Sequence, residues 1–267
     1  MATSAQWAES LAPGLRTWIM DEFKQYQAHY TKVFNIESSK RAYEEDIDST
    51  GIGYLLEESS GGKTTYEDPL QGYKTRYSHR IFKKGMKVTK EEFDDDLYRV
   101  FQRRSKMLGR AAARTYDLFA FEVFRGGYST ARTSYGDGNP FFSTVHDRLD
   151  GGTAQSNASS TGIELTEPNL NTGTLALQEI LDHKGNLVAI GEGKLILHVP
   201  PALRKTALRL TGSKLIPESA ENDMNVYEGA YEVLVNPWIS LRVAARTGIT
   251  AGSDTAWSLL SRQDLML

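Results

Sequence analysis

TKEEFDDDLYRVFQRRSKMLGRAAARTYDLFAFEVFR, residues 89–125, is the stretch from which the rest of the chain can be read. It holds no proline and predicts one long helix, stopped by Gly126 and Gly127. Thr89 and Glu92 have the spacing of a capping box, which satisfies two backbone donors in the first turn. Glu91, Glu92, Asp94, Asp95 and Asp96 place negative charge at the positive end of the helix dipole. About 36 residues rising about 1.5 Å each give a rod of roughly 54 Å, against a usual helix of about 11 to 12 residues.

The rod has two chemically different sides. At about 100° per residue, Phe93, Leu97, Phe101, Leu108, Ala111, Thr115 and Phe119 share one of them. Arg99, Arg103, Lys106, Arg110 and Arg114 form a stripe on the other, and no acidic residue occurs between Leu97 and Tyr116. The apolar side must bury against something. The basic stripe is either a solvated face with Asp95 and Arg99 paired at i,i+4, or a surface turned toward a polyanion.

Whole-chain numbers bound what surrounds this helix. The 267 residues are 40% hydrophobic and 24% charged, enough for one large domain or two modest ones. A net charge of −3 and a pI near 6.0 do not nominate a nucleic-acid binder by composition. The lack of cysteine excludes disulfides and thiolate metal sites. No apolar run approaches the roughly 20 residues that cross a bilayer, and residues 1–10 lack the regions of a signal peptide. No repeat recurs at a fixed period.

Upstream, residues 1–50 read as an arm. A helix is expected over 13–31, with Leu15, Trp18, Ile19, Glu22, Phe23, Tyr26 and Tyr30 at helical spacing. With little nearby sequence to pack on, it needs a distant segment or a neighbouring subunit. Residues 33–36 read as a short strand, and Glu44, Glu45, Asp46 and Asp48 as an acidic linker. Residues 51–86 read as a long β-hairpin, because Tyr73, Thr75, Tyr77, His79 and Ile81 alternate with Lys74, Arg76, Ser78, Arg80 and Phe82. Ser59, Ser60, Gly61 and Gly62 are turn chemistry. A two-stranded ribbon is marginal alone, so this one should project and pair with something else.

Downstream, residues 128–164 are rich in Gly, Ser, Thr and Asn around an aromatic centre, Phe141 and Phe142. A second helix is expected over 166–185, with Pro168 in its first turn and Leu170, Leu177, Ile180 and Leu181 as its apolar side. A strand over 194–199, a short helix from Pro200 to Leu210, and strands over 231–235 and 256–260 follow. Without a βαβ rhythm, the class is α+β.

Catalytic patterns fall short. Gly62-Lys63-Thr64 approximates a phosphate loop, but Glu57 stands where its first glycine belongs and Asp68-Pro69 follows in place of a helix. Ser143, His146 and Asp147 are close in sequence, with no G-x-S-x-G elbow. The histidines, His29, His79, His146, His183 and His198, show no metal-ligand spacing. Asn157-Ala158-Ser159 matches a glycosylation sequon by chance. No catalytic residue, cofactor or metal is expected.

The order of arm, hairpin, long helix, loop and α/β segment resembles the major capsid protein of tailed double-stranded-DNA bacteriophages, a fold shared with encapsulins and herpesvirus floor domains. Three motifs carry the resemblance more specifically: Lys84-Gly85-Met86-Lys87-Val88-Thr89 with Asp96-Leu97-Tyr98; residues 137–146 (DGNPFFSTVH) with Gly151-Gly152 and Ser156-Asn157; and Leu195 through Val199-Pro200-Pro201-Ala202-Leu203. The resemblance spans about Val33 to Leu260. It implies an N-terminal arm (1–50), an extended hairpin loop (51–86), a peripheral domain (87–164 and 241–267) with spine helix 89–125, and an axial domain (165–240). Such chains continue beyond Trp257, so either this sequence is truncated near Leu265-Met266-Leu267 or a neighbour completes the domain.

The function so implied is a structural shell protein that self-assembles into an icosahedral head around packaged double-stranded DNA. Its partners would be itself, in hexamers and pentamers, then cement, scaffolding and portal proteins, and DNA without sequence preference, with no membrane. Its place would be the virion, after assembly in the host cytoplasm. Trp7, Trp18, Tyr66, Tyr73 and Tyr77 would be buried between subunits. Lys63, Lys74, Arg76, Arg80, Lys83 and Lys84 would steer the hairpin onto acidic neighbours. The stripe of Arg99, Arg103, Lys106, Arg110 and Arg114 would face the lumen, and the Phe93 to Phe119 side would bury under peripheral-domain strands and the loop around Phe141 and Phe142. The rivals are an encapsulin-like compartment shell and, less in keeping with the motifs, a nucleotide-binding or hydrolytic enzyme.

Overall fold

The computed structural model describes residues 4–58, 62–87, 89, 91, 94–95, 99–131, 136–190, 193–215, 224–246 and 248–261, with side chains from residue 13 onward. The chain divides into two compact units. One comprises Met1–Lys40 with His79–Phe121, the other Arg41–Ser78 with Glu122–Leu267.

The first unit is built on two helices, α1 (Ser4–Gln25) and α2 (Val100–Ala120). Helix α1 begins upstream of the expected start, with Pro13 inside it and Thr17 Oγ1 donating to the Pro13 carbonyl at 3.0 Å. Residues 33–36 are not a strand. A 3₁₀ turn, Tyr30–Lys32, precedes them, and the Phe34 N–H donates to the Tyr30 carbonyl at 2.9 Å, which removes it from any strand ladder.

Helix α2 is shorter than the rod expected over 89–125. Its 21 residues span about 32 Å at about 1.5 Å per residue. Arg99 ends it upstream with left-handed angles, φ 53° and ψ 34°, which a right-handed helix cannot pass through. Thr89 is not helical, Glu91 and Asp94 are, and the capping partner Glu92 lies outside the described residues, as do Phe93 and Leu97. Downstream the helix stops at Phe121, where φ −80° and ψ 4° interrupt it, and the chain crosses to the second unit.

The face that α2 buries also differs from the one the apolar pattern indicates. Its buried residues are Phe101, Ser105, Gly109, Ala113 and Asp117, an i,i+4 row of mostly small side chains. Leu108, Ala111, Thr115 and Phe119 are half-buried. The row is chosen by closeness of approach. A Cβ on Gly109 would lie 2.4 Å from the Ile19 carbonyl oxygen of α1. Phe119 stacks instead on Phe82, centroids 4.3 Å apart.

In the second unit, β1 (Tyr43–Ser49) pairs antiparallel with β2 (Gln71–Ser78), Tyr43 opposite Ser78 and Ile47 opposite Lys74. The first hairpin strand is therefore the segment read as an acidic linker. Cross-strand charge explains it: Glu45 pairs with Lys74 at 2.7 Å and with Arg76 at 3.9 Å, and the Arg76 guanidinium lies 3.6 Å over the Tyr43 ring. Between the strands, the described residues 50–58 and 62–70 belong to no helix or strand.

The rest of this unit holds α3 (Glu122–Gly126), α4 (Glu167–Gln178), β3 (Leu195–Val199), a 3₁₀ turn Pro201–Leu203, α5 (Arg204–Gly212), β4 (Tyr231–Val235) and β5 (Ser258–Leu260). The sheet order is β4-β3-β5, with β3 parallel to β4 and antiparallel to β5. A βαβ crossover is thus present through α5, within the mixed α+β fold. All five residues of β3 are buried, His198 included, because the central strand is covered on both faces. Leu165, Leu170, Leu195, Leu197, Val199, Ala207 and Tyr231 form the core. Helix α4 stops short of 185 because residues 180–188 turn back on themselves, with Leu181 bridged to Leu187.

Candidate functional site

The catalytic patterns noted in the sequence do not assemble among the described side chains. No group of three or more His, Asp or Glu residues could hold a metal among them. Gly62, Lys63 and Thr64 are exposed and no helix follows them. His146 Nδ1 meets Asp137 Oδ2 at 2.8 Å, but Ser143 Oγ donates to the Val145 carbonyl at 3.1 Å, so the hydroxyl is not set on the imidazole. Burial pushes the Asp137 carboxyl up, yet hydrogen bonds from the Asn139 backbone, His146 and the Asn139 amide outweigh it and hold the group low. Asn157 of the sequon is occupied at both ends: its Oδ1 accepts from Ser143 N at 2.9 Å and its Nδ2 donates to Phe141 O at 2.7 Å. These bonds order a long loop; Phe142 packs there on Phe124 and Tyr128.

Surfaces are the chemistry that remains. Arg99, at the N-terminal boundary of α2, and Arg103, Lys106, Arg110 and Arg114 on the helix are all exposed. Arg110 is spoken for, since its guanidinium pairs with buried Glu22 of α1. The N-terminal segment finds a distant part of its own chain: Phe23 of α1 and Tyr30 of the 3₁₀ turn that follows pack on Tyr116, centroids 5.8 and 6.2 Å away. Asp117, fully buried, accepts from Tyr26 Oη at 2.8 Å, His29 N at 2.9 Å and Tyr30 N at 2.8 Å. Burial and this carboxylate push the Tyr26 hydroxyl up to about 12. Sequence pattern assigned Asp117 no role. An acid after so long an acid-free run was the only signal it left.

The unit carrying α2 is basic and the other acidic. The first holds 15 Lys and Arg against 10 Asp and Glu, a formal +5. The second holds 16 against 24, a formal −8, and the two give the whole-chain −3.

The proposed contact residues sit as follows. Tyr66 is 91% exposed and Tyr77 52% exposed, while Trp18 and Tyr73 are half-buried. The Trp7 side chain lies outside the described residues. Lys63, Arg80, Lys83 and Lys84 are exposed, whereas Lys74 and Arg76 are already engaged by Glu45. The hairpin loop adds residues that periodicity did not single out: Tyr54, Leu55 and Leu56 are 70%, 96% and 71% exposed. An apolar triplet in an otherwise polar segment was the signal available. Large apolar side chains left in solvent mark an interaction site.

A family model described as phage capsid protein matches residues 72–265. Three solved structures of bacteriophage JBD30 share the fold. Its capsid superposes with a TM-score of 0.65 at 16% identity, covering 81% of this chain and 92% of that one. The capsid decorated with minor capsid protein trimers gives 0.64 at 15%, with the same coverage, 81% and 92%. The procapsid gives 0.61 at 18%, covering 89% of this chain and 100% of the other. No curated protein matches the chain.

Proposed function

This chain belongs to the phage capsid protein family, a structural component of the virion shell, and we propose how its surfaces serve that role. Its principal partner is a second copy of itself, repeated through hexamers and pentamers, and its work is assembly rather than catalysis. The hairpin loop carries the subunit contact. The observation that supports this best is the solvent-exposed run Tyr54, Leu55, Leu56 and Tyr66 on a ribbon too thin to bury them. Burial against a neighbour would remove that apolar surface at roughly 25 cal/mol per Å². Lys63, Arg80, Lys83 and Lys84 steer the approach, while Lys74 and Arg76 act inside the hairpin. The +5 unit with the α2 stripe faces the lumen, where DNA phosphates meet Arg99, Arg103, Lys106 and Arg114 without sequence preference. Residues 87–164 and 241–267 are assigned to the peripheral domain and 165–240 to the axial domain, except that β5 joins the axial sheet beside β3. Cement, scaffolding and portal proteins are further partners of a shell so built.

Deleting residues 61–77 tests the contact. We expect no particles by electron microscopy and soluble subunits by gel filtration; normal particles would refute the docking role. Nucleic-acid content of purified wild-type particles separates a DNA-filled head from a cargo shell.

A further inference from the structure

The hairpin that bears the exposed apolar loop is fastened to its own chain at the turn of residues 181–187, and nearer its base Tyr73 Oη donates to the Asp147 carbonyl at 3.1 Å. Asp48 at the end of β1 meets His183 Nε2 at 2.7 Å, and both side chains are largely buried, 14% and 18% exposed. The Tyr73 ring of β2 stands edge-on to the same imidazole, centroids 5.7 Å apart. Further out, Glu67 pairs with the Lys184 ammonium, and its Oε2 accepts from Gly53 N at 2.9 Å, so one carboxylate ties both limbs of the loop to the turn. Tyr54 Oη accepts from Leu187 N at 3.1 Å.

The turn is rigid enough to hold against. Asp182 accepts from Lys184 N, Asn186 N and Asn186 Nδ2, each at 2.8 Å. These bonds overcome the effect of burial and keep its carboxyl below the usual range. Gly185 has φ +84°, and a Cβ there would lie 2.4 Å from Arg148 Nη2, so this corner takes no other residue without a shift. The tethers to this turn are polar or made by a single ring, and Leu55 and Leu56 take no part in them.

We propose that the 181–187 turn is a latch that holds the hairpin in a fixed attitude on the free subunit, so that its apolar loop is presented ready for the neighbouring copy. Holding it lowers the ordering entropy left to lose on docking. The inference rests on the reading that this loop docks on a second copy, but its test does not use assembly.

Hydrogen exchange on unassembled subunits reads the latch directly. Tyr54→Phe and Lys184→Gln each remove one tether with little change of shape, and His183→Gln removes a third. The expected result is faster amide exchange in peptides covering 43–49 and 71–78, roughly tenfold for the triple variant, with residues 195–199 unchanged. Unchanged exchange in the hairpin, or equal acceleration in 195–199, would overturn the latch. Loss of particles in the 61–77 deletion is a separate result, so either reading can fail alone.

Discussion

At Gly109, one missing side chain lets two helices touch. Because the near atom on α1 is a backbone oxygen, Gly109→Ala cannot be relieved by a rotamer change. It should destabilise the first unit by about 1–3 kcal/mol, read as a lower urea midpoint. His198 decides a different property. Asn236 Oδ1 accepts from Trp238 N at 2.9 Å, which turns its amide nitrogen toward His198 Nε2, also at 2.9 Å, and favours the neutral ring. Burial accordingly lowers its pKa from 6.5 to about 4. The unfolded chain takes up this proton first, so stability is full above pH 6.5 and is lost as pH falls toward 4. The loss is about 3 kcal/mol at 1.36 kcal/mol per unit. His198→Gln should flatten denaturation midpoints across that window; an unchanged slope would assign the acid sensitivity elsewhere.

At the scale of elements, α3 shows how a short helix is kept. Its five residues could not persist alone. Glu122 Oε2 accepts from Arg125 Nη2 at 2.8 Å, and its Oε1 accepts from Thr250 N at 2.8 Å and Thr250 Oγ1 at 2.7 Å. Arg125 also donates to the Trp238 carbonyl at 2.6 Å and the Thr250 carbonyl at 3.2 Å. Glu122→Gln removes the negative charge while Arg125 stays buried. We expect a loss of about 3–5 kcal/mol, measured by chemical denaturation; a change under about 1 kcal/mol would mean the pair is solvated. The same network explains why helical periodicity ran on past Phe121: the residues beyond it are helical, but they belong to another unit. Periodicity sees repeat spacing and is blind to a break that keeps the phase.

Across the whole molecule, the charge divides more sharply than the net −3 suggests. If the stripe on α2 meets DNA, changing Arg99, Arg103, Lys106 and Arg114 to Gln should weaken non-specific duplex binding by free subunits. The slope of log affinity against log salt should shrink by about 0.9 for each phosphate that is no longer neutralised. Particle yield should stay as it was. An unchanged slope would leave the stripe as a solvated face.

The sequence by itself determined the mixed helix–strand fold, the helix that carries the basic stripe (drawn too long, over 89–125), the buried strand from Leu195, and the family, because these rest on local periodicity and contiguous motifs. It also exposed the basic stripe, since five cations with no intervening acid need no tertiary partner to be recognised. Only the tertiary structure decided which face of α2 is buried, for closeness of backbones selects Gly109 and Ala113 over larger apolar neighbours. It alone made a strand of the acidic run at Glu44 to Asp48, through pairing with Lys74 and Arg76. And it alone brought Asp48 to His183 and Glu67 to Lys184, pairs of residues far apart in the chain that no spacing rule connects.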